Sequence, residues 1–210
     1  MLTLLSELGR AERSELFESL NYLNQKEYRS LCHRHSIPYK ILIQTPGGQT
    51  RVTSHTDRKP VVMQRIRHFL MTGEVRAPTC FPARVVQTGP PPERLKSTDR
   101  LYYDWYKKTH TSVMRVLETL TDGRFRDGAL ARVLVVEFWT KGEAPTFTDF
   151  ARAWMASKQG KRDLLTGEYA YLTDLRKKRA GTDWKAVRQA KAASVLKTLD
   201  GMHHPNRANT

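Results

Sequence analysis

Residues 56–73 read TDRKPVVMQRIRHFLMTG, and the reading of this stretch decides the fold of the N-terminal part of the chain. Thr56 or Asp57 can cap a helix, Pro60 suits its first turn, and Gly73 stands where a left-handed stop is expected. Val62, Ile66, Phe69 and Leu70 recur at helical spacing and line one side. Arg58, Lys59, Arg65, Arg67 and His68 supply the rest of the surface.

Working outward, KILIQT and QTRVTS flank Pro46-Gly47-Gly48, two β-prone runs around turn residues, so the sequence predicts a hairpin. Before it, Asn24 with Glu27 three residues on forms a capping box, Tyr28, Leu31 and Cys32 make an apolar stripe, and Ile37-Pro38 ends the helix. Residues 2–20 form a further amphipathic helix, with Leu5, Leu8, Leu16, Phe17 and Leu20 inward. Its outer face, Glu7, Glu12, Glu15 and Glu18, repels a phosphate backbone.

Downstream, five of the ten prolines fall in 77–98, three of them consecutive at 90–92, the pattern of a semi-rigid spacer. A boundary is placed near residue 95; the alternative is a proline-rich loop packed on one continuous domain. The second half reads as helical. One helix runs from Asp99 to about Asp122, with Tyr102, Trp105, Tyr106, Val113, Met114, Leu117 and Leu120 inward. Another covers 127–140, apolar nearly all round, with a strand left open by its valines. Further helices cover 146–158, Glu168–Arg179 and Asp183–Leu199. The expected fold is mainly α. A small N-terminal module with an N-terminal helix and a hairpin insertion occupies 1–76. A Pro-rich linker follows over 77–98, then a helical basic domain over 99–202 and a tail over 203–210.

The chain has 210 residues and a net charge of +15. Residues 1–96 contribute +7 and residues 97–210 contribute +8, so the excess is not confined to a tail. Such a surface attracts polyanions, and nucleic acid is the leading class. A membrane surface is not expected, because the apolar helix faces are needed for a core and no run approaches the roughly 18 apolar residues of a spanning helix. The N-terminus has no secretory signal pattern, and two cysteines make no disulfide scaffold, so a reducing compartment is expected: the cytoplasm, or the nucleoid in a bacterium.

EYRSLCHRHSI at 27–37 and KPVVMQRI at 59–66 together resemble the SAP family, a helix–extension–helix DNA-binding module. The resemblance spans about residues 22–72. Lys59, Val62, Met63, Arg65 and Ile66 fill its second motif, and Leu31-Cys32 with Ile37-Pro38 fill its first. It departs where SAP modules join their helices by a few residues: here about 20 residues intervene, and Arg58 replaces the usual glycine. The resemblance implies duplex DNA binding. Independently, a helix N-terminus offers unpaired N–H groups and partial positive charge to phosphate, and Arg58 and Lys59 lie at one. Arg65 and Arg67 add charge further along, Arg51 lies in the hairpin, and Lys40 begins the extension. A second basic region supplies Arg176, Lys177, Lys178, Arg179, Lys185, Arg188 and Lys191. Residues 146–158 and 168–179 can alternatively form a helix–turn–helix.

No catalytic constellation emerges. There is no Asp-x-Asp pair, no phosphate-binding glycine loop and no G-x-S-x-G. Cys32, His33 and His35, with His55 and Cys80, match no zinc pattern, and Cys32 lies on the apolar stripe; a packed thiol is the expectation, with no metal or cofactor. Tyr102, Trp105 and Tyr106 beside Lys107 and Lys108 can be read as a stacking platform, but their shared helical face favours a core. The expected function is a non-enzymatic duplex-DNA-binding protein. The alternative is a structural RNA- and protein-binding subunit of a ribonucleoprotein or mobile-element complex, with the C-terminal domain contacting RNA or protein.

Overall fold

The computed structural model describes residues 5, 8–87, 89–159 and 184–201. Among these are seven α-helices, α1 Arg10–Ser19, α2 Gln25–Arg34, α3 Lys59–Thr72, α4 Thr111–Leu120, α5 Ala129–Thr140, α6 Phe147–Gln159 and α7 Trp184–Gly201. Three strands accompany them, β1 Lys40–Gln44, β2 Thr50–Thr56 and β3 Cys80–Phe81. The protein is mainly α. Among the described residues, no helix is long and apolar enough to cross a membrane.

The chain divides into two compact units, each assembled from separated segments. One takes the described residues of Met1–Tyr39, Asp57–Ala77 and Thr166–Thr210; the other takes Lys40–Thr56 and Pro78–Leu165. This differs from the linear division expected at the prolines. The hairpin leaves the helices that flank it in sequence and joins the second unit, while α7 joins the first.

In the first unit, α1, α2, α3 and α7 bury one cluster that includes Leu16, Leu20, Leu31, Cys32, Val62, Ile66, Leu70, Val195 and Leu199. Local signals set the helix ends. Asn24 and Glu27 exchange hydrogen bonds, Glu27 N to Asn24 Oδ1 at 2.9 Å and Asn24 N to Glu27 Oε2 at 2.7 Å. Gly73 closes α3 in the left-handed region, with φ 74°. The first helix begins at Arg10, later than expected, because Gly9 starts its own box: its N–H donates to Glu12 Oε2 at 2.7 Å.

A buried ion pair closes the base from which the hairpin departs. Arg65 on α3 is 6% exposed. Its Nη1 donates to Asp57 Oδ2 at 2.5 Å and to the Pro38 carbonyl at 3.0 Å. Pro38 lies just before the hairpin and Asp57 just after it, and Asp57 N donates to Tyr39 O at 2.8 Å. The excursion therefore starts and ends on one guanidinium.

In the second unit the sheet order is β2-β1-β3, with β1 antiparallel to β2 and parallel to β3. The turn at Thr45–Gly48 is closed by Gly48 N to Thr45 O at 2.8 Å, and Gly48 takes φ 77°, which glycine adopts without steric cost. Ile41, Phe81, Val85, Val86, Leu101, Trp105, Leu117, Phe125, Leu134, Trp139, Phe147, Phe150 and Trp154 share one core. The segment 77–98 is thus not a free spacer: Phe81 pairs in the sheet, and Val85 and Val86 are buried.

The helix expected from Asp99 is replaced by a single 3-10 turn at Tyr103–Trp105, and α4 begins only at Thr111. Tertiary pairing outweighs helical spacing here. Leu101 N donates to Pro145 O at 2.7 Å, Phe147 N to Asp99 O at 3.0 Å, and Trp139 Nε1 to Leu101 O at 3.0 Å. These bonds hold residues 99–101 extended. The helical reading of 127–140 holds as α5, against the open strand alternative.

Removing one member of a buried pair leaves the other charge uncompensated. Arg65→Met or Asp57→Ala alone is expected to cost about 3–5 kcal/mol in urea denaturation. The double variant should cost clearly less than the two single losses summed. Strict additivity would show that the pair is not coupled.

Candidate nucleic-acid interface

The expected phosphate ligands fall into three groups. The first is interior: Arg65 is consumed by Asp57 and Pro38, so the expectation that it contacts phosphate is withdrawn.

The second group converges on the end of α1. After Ser19 the chain tightens into a 3-10 turn at Leu20–Tyr22, and a helix C-terminus leaves carbonyls without intrahelical partners and carries partial negative charge. Cations from α3 and α7 fill these acceptors. Lys59 Nζ donates to Asn21 O at 2.6 Å, Arg67 Nη2 to Phe17 O at 3.0 Å, and Arg188 Nη1 to Tyr22 O at 3.2 Å. Arg188 also pairs with Glu27 Oε2 at 2.9 Å, and Lys191 Nζ lies 5.1 Å from the centre of the Tyr22 ring. Lys59, Arg67 and Arg188 therefore act first as helix-end caps, correcting their reading as phosphate ligands. Arg58 is the half-buried N-cap residue of α3, where no side chain caps the backbone.

The third group is exposed. Lys40 and Arg51 stand on the hairpin, Lys40 opposite Thr56 and Arg51 opposite Ile43. Neither makes an ion pair or a side-chain hydrogen bond among the described residues. The hairpin segment 40–56 contains no Asp or Glu. Arg176, Lys177, Lys178 and Arg179 lie outside the described residues, as does the second helix of the helix–turn–helix alternative. Lys185 belongs to α7, and its side chain also lies outside what is described.

Two further exposed cations escaped the sequence reading. Arg94 and Arg115 line a cleft of about 510 Å³ with Thr109, His110, Thr111 and Ser112, and Glu93 places a carboxylate in the same cleft. Arg94 stands in the proline-rich stretch, where spacer composition masks any site signal. Of the acidic outer face expected for α1, Glu12, Glu15 and Glu18 are exposed and Glu7 lies outside the described residues; Glu12 and Glu15 line a separate cleft of about 190 Å³ with Ser19, Ser194 and Thr198.

The aromatic cluster is structural. Trp105 is buried and meets Tyr102 edge-on at 5.1 Å, and Tyr106 Oη donates to Asp127 Oδ1 at 3.0 Å. Burial and that carboxylate raise the Tyr106 pKa far above the usual phenol value. Among the described residues, no group of three His, Cys, Asp or Glu side chains could hold a metal ion. Cys32 is fully buried, and desolvation pushes its thiol up to about 11. No family model, curated protein or solved structure matches the chain.

Two predictions follow from these roles. Lys59→Ala and Arg188→Ala each leave a helix-end carbonyl without its charged donor and should lower stability by about 1.5–3 kcal/mol in urea denaturation. A purely surface role would leave the midpoint unmoved. For Cys32 the folded pKa is raised, so its contribution is fully present below the unfolded value near 9 and is lost as pH rises towards 11. Stability measured from pH 8 to 11 should decline more steeply in the wild type than in Cys32→Val; parallel curves would refute the buried-thiol assignment.

Proposed function

We propose that this chain is a non-enzymatic duplex-DNA-binding protein that grips phosphates through exposed cations, Lys40 and Arg51 foremost. The observation that carries this is the hairpin: two exposed, uncommitted cations on a segment with no carboxylate, in a chain of net charge +15. Such a surface attracts a polyanion at long range and keeps its cations available at contact. The SAP resemblance supports duplex DNA over other polyanions. It now rests on different residues, since Arg65, Lys59 and Arg67 serve the fold.

The reading is non-enzymatic because the more buried carboxylates serve structure. Asp57 is held by Arg65, and Asp127 is held by Arg132 and Tyr106. Affinity is then dominated by counterion release and falls steeply with salt.

Fluorescence anisotropy with a labelled duplex, measured between about 50 and 200 mM salt, tests the proposal. The Lys40→Ala, Arg51→Ala double variant should flatten the slope of log affinity against log salt by about 1.8, two phosphates at roughly 0.9 each. An unchanged slope rules out these contacts. Preference for RNA in competition would favour the ribonucleoprotein alternative, and failure to bind either nucleic acid would end the proposal.

A further inference from the structure

We infer that the β1–β2 hairpin enters the major groove of duplex DNA, with Gln44, Thr50 and Val52 turned to base edges and Lys40 on a flanking phosphate, while Arg51, paired with Ile43, belongs to the opposite face of the ribbon. This rests on the duplex-DNA reading above and adds the element, the groove and the reading face.

The face is fixed by register. Directly paired residues on antiparallel strands point to the same side, and successive pairs alternate. Leu42 pairs with Val52 and Gln44 with Thr50, while Ile43 pairs with Arg51. Ile41 is 1% exposed and Ile43 packs against the core of the second unit, so the pair containing Ile43 marks the inner face. The other face bears the half-buried Leu42 together with Gln44, Thr50 and Val52, which are exposed. A one-residue slip would bury that set and expose the isoleucines, so burial locks the orientation.

The chemistry of the outer face suits base edges. A glutamine carboxamide can both donate to and accept from a base, a threonine hydroxyl can do either, and an apolar side chain can pack on a thymine methyl. Val52 is 63% exposed, the most exposed large hydrophobic side chain among the described residues, and stands opposite Leu42 on this face. The tip, Pro46-Gly47-Gly48, is exposed, and its two glycines let the backbone approach closely.

The dimensions agree. A two-stranded ribbon fits the roughly 12 Å width of the major groove, and since β3 pairs with β1 at Leu42 and Ile43, the part that enters as a ribbon is the tip from Gln44 to Thr50. β2 is the outer strand of the sheet, so the ribbon has a free long edge. Its base is stiff: Thr53 Oγ1 donates to Ile41 O at 2.8 Å and accepts from His55 N at 3.0 Å, which anchors the irregular register between Lys40 and Leu42. The charge is complementary, because a carboxylate on this segment would oppose the phosphate walls of the groove and none is present.

The test uses the full chain and duplexes selected from a randomised pool, compared with a mixed-sequence duplex. Gln44→Ala, Thr50→Ala and Val52→Ala combined should reduce the selected-over-mixed affinity ratio by roughly tenfold. The salt slope should stay unchanged, since no phosphate contact is removed. The wild-type chain should be displaced by methyl green, a major-groove ligand, and not by netropsin, a minor-groove ligand, a readout that does not depend on how the variant folds. Retention of wild-type selectivity in the variant, or competition by netropsin alone, overturns the inference while leaving the duplex-DNA reading standing. Absence of duplex binding by the wild type overturns both.

Discussion

The ion pair between Arg65 and Asp57 governs the architecture of the first unit. A guanidinium that is 6% exposed is tolerated only with a carboxylate and further acceptors around it, and Pro38 and Asp57 provide them from the two sides of the hairpin. One side chain thereby brings together residues 38 and 57. The 17 residues between them that form the hairpin, Lys40–Thr56, are released to pack elsewhere. The bond from Asp57 N to Tyr39 O seals the same junction.

The cations of this chain therefore do several kinds of work. Arg67, Lys59 and Arg188 satisfy carbonyls at the end of α1, and Arg84 does the same in the second unit, where its Nε donates to Gly142 O at 2.6 Å. A side chain at Gly142 would strike that guanidinium, and the glycine also takes φ 75°. A strongly basic composition thus contains a structural portion, and only the remainder is available to a partner. On the hairpin the remainder is undiluted, because no acidic residue shares the segment.

What could be read from the sequence was what local chemistry determines. The Asn24–Glu27 box, the stop at Gly73 and the turn at Pro46-Gly47-Gly48 are specified within a few residues, and each forms where the sequence places it. Residues 99–110 were not legible, because their helical spacing is overruled by hydrogen bonds to residues more than thirty positions away. Arg65 was not legible either. Nothing near it in sequence distinguishes a solvated arginine from one paired across a fold. The same applies to the units: composition marks the prolines at 77–98, whereas the true division depends on which side chains meet. The exposure of Lys40 and Arg51 could be anticipated, because one begins its strand and the other lies on the outer strand beside the turn. The capping roles of Lys59 and Arg188 require knowing where the C-terminus of α1 lies.

The interleaving of the units has a consequence for biosynthesis. Chains emerge from the ribosome N-terminus first and domains fold as units. The second unit has all its segments once residue 165 has been made, although it begins later in the sequence. The first unit lacks Ala192, Val195 and Leu199 of α7 until those residues have been made, after every segment of the second unit. Until then Leu16, Leu20, Leu31 and Ile66 have an incomplete apolar seat. Between the synthesis of α3 and that of α7, the apolar faces of α1, α2 and α3 are therefore exposed to misassociation.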